Sequence, residues 1–127
     1  MIKQDYLLRM INQLIEGMLR CLFKIKKDDN EEVIYKNSED EEKYKKLINL
    51  VDCGKINEAE NKLFKEINYK NIDYFKVALM FYSYINEKDD DFLLVNNYSR
   101  KEIAQGIEDL CKKYNVYGLA EPFFKMM

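Results

Sequence analysis

Pairs of apolar residues recur every four positions through residues 4–27, and this pattern constrains the fold more than any other stretch of the sequence. Polar residues separate the pairs, so the segment is predicted to form a long amphipathic helix. An α-helix has 3.6 residues per turn, and each four-residue step therefore moves the apolar stripe by roughly 40° around the axis. One neighbour cannot cover such a stripe, and we expect this helix to be the spine of the core, contacted by several others. The pairs are Tyr6/Leu7, Met10/Ile11, Leu14/Ile15, Met18/Leu19 and Leu22/Phe23.

Gly17 lies in the middle of this predicted helix, where glycine costs roughly 1 kcal/mol relative to alanine. Either another backbone passes close to Gly17, or the residue faces solvent and is merely tolerated. The basic end of the helix, at Arg20, Lys24, Lys26 and Lys27, is compatible with attachment to a membrane surface. The drifting stripe argues against such attachment, because a helix that lies on a bilayer needs a straight apolar face.

The next segment, residues 26–42, is rich in charge without a helical period and is predicted to be a loop. Its apolar island of Val33, Ile34 and Tyr35 is expected to pack over the helices as an extended clip rather than to pair with a partner strand. The acidic residues of this loop lack the fixed turn geometry of a calcium loop, so we expect no metal there.

Two helices that are joined by a short turn follow. Ser38 is predicted to cap the first helix, which Gly54 ends, and Asn57 is predicted to cap the second. Because only three residues separate the two helices, they are expected to form an antiparallel hairpin. The turn resembles that of a tetratricopeptide hairpin, in which a glycine, a small alanine and a large apolar residue have the spacing of Gly54, Ala59 and Leu63. No second copy follows, so one such hairpin within a bundle is expected rather than a solenoid.

A helix over residues 71–87 is apolar around most of its circumference and is expected to be buried between layers. After it, Asp89 is predicted to cap a short helix, and Ser99 with Glu102 forms the capping box of a longer one. Gly106 lies inside that longer helix and predicts that another element packs closely against it.

The final residues, 116–127, are unusually apolar for a chain terminus. Gly118 is predicted to be a stop signal, and the only proline, Pro122, follows it. Phe123 and Phe124 lie in this tail, which we expect either to dock on the core of its own chain or to contact a second chain.

Together these elements predict an all-α fold, a compact bundle of five to six helices with one tetratricopeptide-like hairpin, in a single domain over residues 1–127. One proline and four glycines leave few turn residues for a sheet, which supports the helical assignment. The three cysteines stand far apart and are expected to be small buried thiols outside any disulfide framework: Cys21, Cys53 and Cys111.

The composition disfavours most catalytic chemistry. Histidine is absent, which removes the commonest general base and the usual metal ligand. The sequence has neither a CxxC pair nor a glycine-rich phosphate loop, so we expect no enzyme activity, no metal and no cofactor. A net charge of −2 does not favour nucleic-acid binding. The polar N-terminus and the lack of a run of roughly 18 apolar residues predict a cytoplasmic protein without an integral membrane segment.

Three short segments carry a family resemblance. They are the opening QDYLLRMI of residues 4–11, the turn GKINEAE of residues 54–60 and the helix start NYSRKEI of residues 97–103. In these segments the chain resembles a family of small proteins of unknown function from low-GC Gram-positive bacteria. The resemblance implies an all-helical fold over nearly the full chain and implies nothing about activity.

A protein-interaction module, self-associating or binding an unknown protein partner, is the function that the sequence favours. The hairpin, the apolar and aromatic residues near both termini and the missing catalytic residue types motivate this prediction. The alternative is a small-ligand or acyl-chain binding protein with a cavity lined by Tyr74, Met80, Phe81 and Tyr84. The residues predicted to contact a partner are Tyr74, Phe81, Tyr84, Phe123 and Phe124.

Overall fold

A computed structural model describes residues 2–35 and 37–126, and within these ranges the regular secondary structure is helical without a strand. Seven helices have six residues or more, and α2 is a single turn. The all-helical prediction is therefore confirmed, whereas the number of helices exceeds the five to six predicted. The elements are α1 (Ile2–Met18) with a π-helical extension (Leu19–Phe23), α2 (Glu31–Ile34), α3 (Ser38–Asp52), α4 (Ile56–Lys65), α5 (Ile72–Asn86), α6 (Asp90–Val95), α7 (Arg100–Lys113) and α8 (Tyr117–Met126).

Helix α5 occupies the centre of the fold. Twelve of its fifteen residues are buried, and it packs against α1, α3 and α7. This burial agrees with the expectation from its two apolar faces. The central position expected for the opening helix therefore belongs to α5, and α1 is one of the helices packed around it.

Helix α1 nevertheless buries most of its drifting stripe and meets several neighbours, as the four-residue spacing predicts. It packs against α5, α7 and α8. The helix ends earlier than Lys27, because the π-helical extension stops at Phe23 and Lys24 adopts the left-handed conformation with φ of 60°. The buried members of the stripe are Leu7, Met10, Ile11, Leu14, Ile15, Met18 and Leu19.

Two predicted helix starts shift, by one and by two residues. Asn37, and not Ser38, caps α3, because its side chain accepts a hydrogen bond from the Asp40 amide at 2.8 Å. Helix α4 begins at Ile56 without a side-chain cap, so the cap predicted at Asn57 is wrong. Gly54 has the predicted left-handed conformation, with φ of 81°.

The caps of α6 and α7 are confirmed. The Asp89 side chain accepts a hydrogen bond from the Phe92 amide at 2.8 Å. Ser99 and Glu102 form the complete capping box at the start of α7. The sequence predicts both caps because each depends on residues only three positions apart.

The apolar island after α1 packs on the core as expected, but as a helical turn instead of an extended clip. Ile34, at the end of α2, and Tyr35 are buried, whereas Val33 is exposed. The Tyr35 ring lies 5.3 Å from the Tyr44 ring on α3. Lys36, which follows the island, lies outside the described residues.

A buried arginine joins the ends of three helices. Arg100, the first residue of α7, is 1% exposed and pairs with Asp90 at the start of α6. Its guanidinium also donates to the carbonyl oxygens of Asn86 at 3.2 Å and of Lys88 at 2.7 Å, at the end of α5. Arg100 thus supplies partners for carbonyl groups that a helix C-terminus leaves unpaired.

Candidate interaction surface

An apolar groove lies between α8 and the end of α1 with its π-helical extension. Its volume is about 170 Å³. It marks the place where the apolar stripe of the opening segment is incompletely covered, because Leu22 is only half-buried whereas Leu14 and Met18 are buried. The groove is lined by Leu14, Gly17, Met18, Cys21, Leu22, Leu119 and Phe123.

Gly17 keeps this groove open from the α1 side. The residue is exposed, and a Cβ atom added to it would meet no heavy atom within 4 Å. Among the described residues, no backbone or side chain of another element lies within 4 Å of that position, which favours the second explanation, a glycine that faces solvent. Since the position lines the groove, a side chain there would occupy space that is now empty.

The opposite wall of the groove is α8, where a helix was not predicted. The helix contains both expected stop signals, Gly118 and Pro122. The helix forms despite them because it packs against α1 and α7. Phe123 lines the groove, and within α8 Phe124 stacks on Tyr117 with ring centroids 5.7 Å apart and planes 3° from parallel. The tail therefore docks on the core of its own chain, while Leu119 stays 57% exposed at the groove.

The five residues predicted to contact a partner are dispersed. Tyr74 and Phe81 are fully buried in α5, so a partner cannot contact them in this conformation. Tyr84 is half-buried, and its hydroxyl donates to the Asp52 carboxylate at 2.6 Å. Phe123 and Phe124 are half-buried on α8, and of the five only Phe123 lines the groove.

The four residues predicted to line an aromatic cavity are divided between the core and the surface. Met80 and Phe81 are buried, and the buried Tyr74 donates its hydroxyl hydrogen to the Leu63 carbonyl oxygen at 3.0 Å. Tyr84 belongs to a surface network with Asp52 and Lys88. None of the four predicted lining residues borders the groove between α1 and α8.

The cysteines differ from the prediction in two of three positions. Cys111 is buried on α7, and burial raises the pKa of its thiol to about 12. Cys21 and Cys53 are exposed, and Cys21 lines the groove. Sequence reasoning placed all three inside because each lies in a helical pattern, which does not by itself fix the face that points outward.

A second, acidic cleft of about 310 Å³ lies between α4 and α7. At this cleft, Glu60 Oε2 accepts hydrogen bonds from the hydroxyls of Tyr82 at 2.5 Å and Tyr98 at 3.1 Å. Burial raises the pKa of Glu60, and the negative charges of Glu102 and Asp109 raise it further, while the two tyrosine hydrogen bonds lower it. The cleft is lined by Glu60, Asn61, Phe64, Glu102, Gln105, Gly106 and Asp109.

Gly106 brings α7 against this site. A Cβ atom at Gly106 would lie 2.6 Å from Glu60 Oε2 and closer still to the Tyr82 hydroxyl oxygen. The close packing predicted for Gly106 is therefore confirmed. Among the described residues, no group of three or more carboxylate or thiol side chains is arranged to hold a metal ion.

The profile of a protein family matches residues 1–115 and carries the description "Family of unknown function (DUF6483)". The chain belongs to this family. The match spans α1 to α7 and ends before α8. It agrees with the family of unknown function expected from the sequence, and the bacterial origin stays a prediction. No curated protein and no solved structure matches the chain.

One further property of the described residues concerns membranes. None of their helices combines the length and the apolar character needed to cross a bilayer.

Proposed function

We propose that this member of DUF6483 is a cytoplasmic, non-catalytic protein-interaction module, and that the groove between α1 and α8 receives a large apolar side chain of its partner. The observation that carries the proposal is the groove itself, an apolar opening beside the buried stripe residues Leu14 and Met18. Leu119 is exposed beside it, and binding of a partner would remove this apolar surface from water.

The size of the groove favours a side chain over a small molecule. Pockets for drug-sized ligands have volumes of ~300–1,000 Å³, and the groove has about 170 Å³. A single buried apolar anchor is a common arrangement at protein interfaces, where a few well-packed residues supply most of the binding energy. The same comparison weakens the alternative of a small-ligand or acyl-chain binding protein.

Self-association is one form of this interaction that the chain itself can supply. Leu94 and Val95 on α6 are 77% and 81% exposed, so a second copy would offer an apolar side chain of suitable size. The tetratricopeptide likeness of the hairpin α3 and α4 also belongs to the proposal. It is supported by the left-handed Gly54 and the full burial of Ala59, although neither feature is specific to such repeats.

Substitution of Gly17 by methionine tests the proposal, because Gly17 lines the groove and a Cβ atom there meets no described atom within 4 Å. Gly118→Met is the matched control, since Gly118 is also exposed in a helix and free of neighbours but does not line the groove. Light scattering and a pull-down from native cytoplasm measure association. We expect Gly17→Met to abolish it and Gly118→Met to retain it.

A second variant separates the two kinds of partner. Leu94→Asp is expected to abolish association only if the anchor comes from another copy of the chain. A wild-type protein that is strictly monomeric and captures no partner would contradict the proposed function. Association that persists unchanged in Gly17→Met would contradict the role of the groove.

A further inference from the structure

Two exposed basic residues flank the groove between α1 and α8 on its α1 side. Arg20 follows the groove residue Gly17 by three positions, and Lys24 follows the groove residue Cys21 by three. Because residues three apart are neighbours on a helix surface, both cations lie beside the groove. Both are exposed, and neither forms an ion pair within the part of the chain that the structure describes.

The acidic residues near this rim already have partners. Glu16 on α1 pairs with Lys27 at 4.0 Å, and Glu121 on α8 pairs with Lys125 at 3.4 Å. The two cations beside the groove are therefore open to a carboxylate from another molecule. The groove thus favours an apolar side chain that has an acidic residue next to it.

Helix α6 of the same chain carries such a surface. Leu94 and Val95 are 77% and 81% exposed, more than any other large apolar side chain that the structure describes. Asp91 precedes them by three and four positions, so it lies on the same side of the helix. Asp91 is exposed and has no ion-pair partner among the described residues, whereas Asp89 caps α6 and Asp90 pairs with the buried arginine of α7.

We propose that the groove receives Leu94 and Val95 of a second copy of the chain, and that Asp91 of this copy lies beside Arg20 and Lys24. The inference rests on the proposed function, since it names the partner of the same groove. Burial of the apolar pair supplies affinity, and the opposite charges select this partner and its orientation. Each contact joins two different surfaces, the groove of one chain and α6 of the other.

Two variants that fail separately but bind each other test this contact. Gly17→Met places a side chain at the groove and keeps α6 intact, whereas Leu94→Ala combined with Val95→Ala removes the apolar pair and keeps the groove. Sedimentation velocity of the purified full chains measures association. We expect the wild type to self-associate, each variant alone to be monomeric, and their equimolar mixture to form a 1:1 complex. A mixture that stays monomeric would overturn the proposal.

The charges provide a second test, which a contact of apolar residues alone would not pass. Reversal of both cations, Arg20→Glu with Lys24→Glu, is expected to raise the dissociation constant roughly two- to tenfold, because Asp91 then meets like charges. Asp91→Lys in the same chain is expected to restore most of this loss. The matched control is Arg9→Glu with Lys46→Glu, which reverses two exposed cations away from the groove and changes the net charge equally. An equal loss in the control, or no loss in the test variant, would overturn the pairing of Asp91 with the two cations.

Failure of this inference is distinguishable from failure of the proposed function. The purified chain could stay monomeric while a protein from native cytoplasm binds the wild type and does not bind Gly17→Met. That result would overturn a second copy as the occupant and would retain the role of the groove. Association of the purified chain that persists in Gly17→Met would overturn both.

Discussion

Gly106→Ala is the substitution for which the structure makes the sharpest statement. Its Cβ atom would lie 2.6 Å from Glu60 Oε2 and would overlap the Tyr82 hydroxyl. The Tyr82 ring is fully buried, so the new methyl group displaces Glu60 and forces α7 away from the Tyr82 hydroxyl, which disrupts the hydrogen bond between Glu60 and Tyr82. Overpacking of a core typically costs ~1–3 kcal/mol, and a hydrogen bond to a charged group is worth ~1.5–3 kcal/mol.

Helix propensity opposes this cost, because alanine gains about 1 kcal/mol over glycine in a helix interior. We therefore expect Gly106→Ala to lower the free energy of unfolding by about 1.5–5 kcal/mol, measured by urea denaturation followed by circular dichroism. Gly17→Ala is the matched control and should raise stability by up to about 1 kcal/mol, since its Cβ would meet nothing within 4 Å. A Gly106→Ala protein as stable as the wild type would refute the close packing of α7 on Glu60 and Tyr82.

Three further predictions concern other parts of the fold. Arg100→Met is expected to lower the free energy of unfolding in urea by roughly 3 kcal/mol or more, because it leaves the carbonyl oxygens of Asn86 and Lys88 without their donor. An Arg100→Lys protein as stable as the wild type would contradict the requirement for a forked guanidinium. Hydrogen bonds from Lys88 and Tyr84 lower the pKa of Asp52, so Asp52→Asn should melt below the wild type at neutral pH. The difference in melting temperature between the wild type and Asp52→Asn should shrink as the pH falls below 3.8 and through the lowered pKa of folded Asp52. A difference that is constant with pH would show that the charge of Asp52 does not contribute to stability. A thiol reagent should modify Cys21 and Cys53 in the native protein and Cys111 only after denaturation, and rapid labelling of all three would contradict the burial of Cys111.

The sequence predicted those features that local patterns determine. The Ser99 and Glu102 capping box, the Asp89 cap and the left-handed Gly54 depend on residues within a few positions of each other, and each is present. The predicted caps at Ser38 and Asn57 lie one and two residues from the observed N-cap positions, Asn37 and Lys55, which is within the usual uncertainty of helix ends.

The features that the sequence did not predict depend on residues far apart in the chain. Glu60 was recognisable only as an acid in the first turn of a helix, whereas its partners Tyr82 and Tyr98 lie 22 and 38 positions away. Helix α8 was missed because Gly118 and Pro122 are local stop signals. The packing of its aromatic residues on α1 and α7 outweighs them, and no local pattern announces that packing.

The predicted partner-binding residues show the same division. Tyr74 and Phe81 were chosen for their aromatic side chains, but neighbours on several sides of α5 bury them both. Phe123 was chosen for its place in an apolar tail, and it lines the groove because the tail folds back on α1. The sequence selected all of these residues by their aromatic type, and only the tertiary arrangement shows which of them lie in the core and which line the groove.

The two sites relate differently to the family match. Glu60, Tyr82, Tyr98 and Gly106 all lie within residues 1–115, so the complete Glu60 network at the acidic cleft belongs to the part of the chain that matches DUF6483. The groove has one wall inside the match, on α1, and the other, with Leu119 and Phe123, beyond it. A groove of this shape therefore requires a helix equivalent to α8, whereas the Glu60 network requires only the matched region. A family member without an equivalent of α8 would accordingly lack the groove and retain the Glu60 network, so association that such a member shares with this chain would contradict the role proposed for the groove.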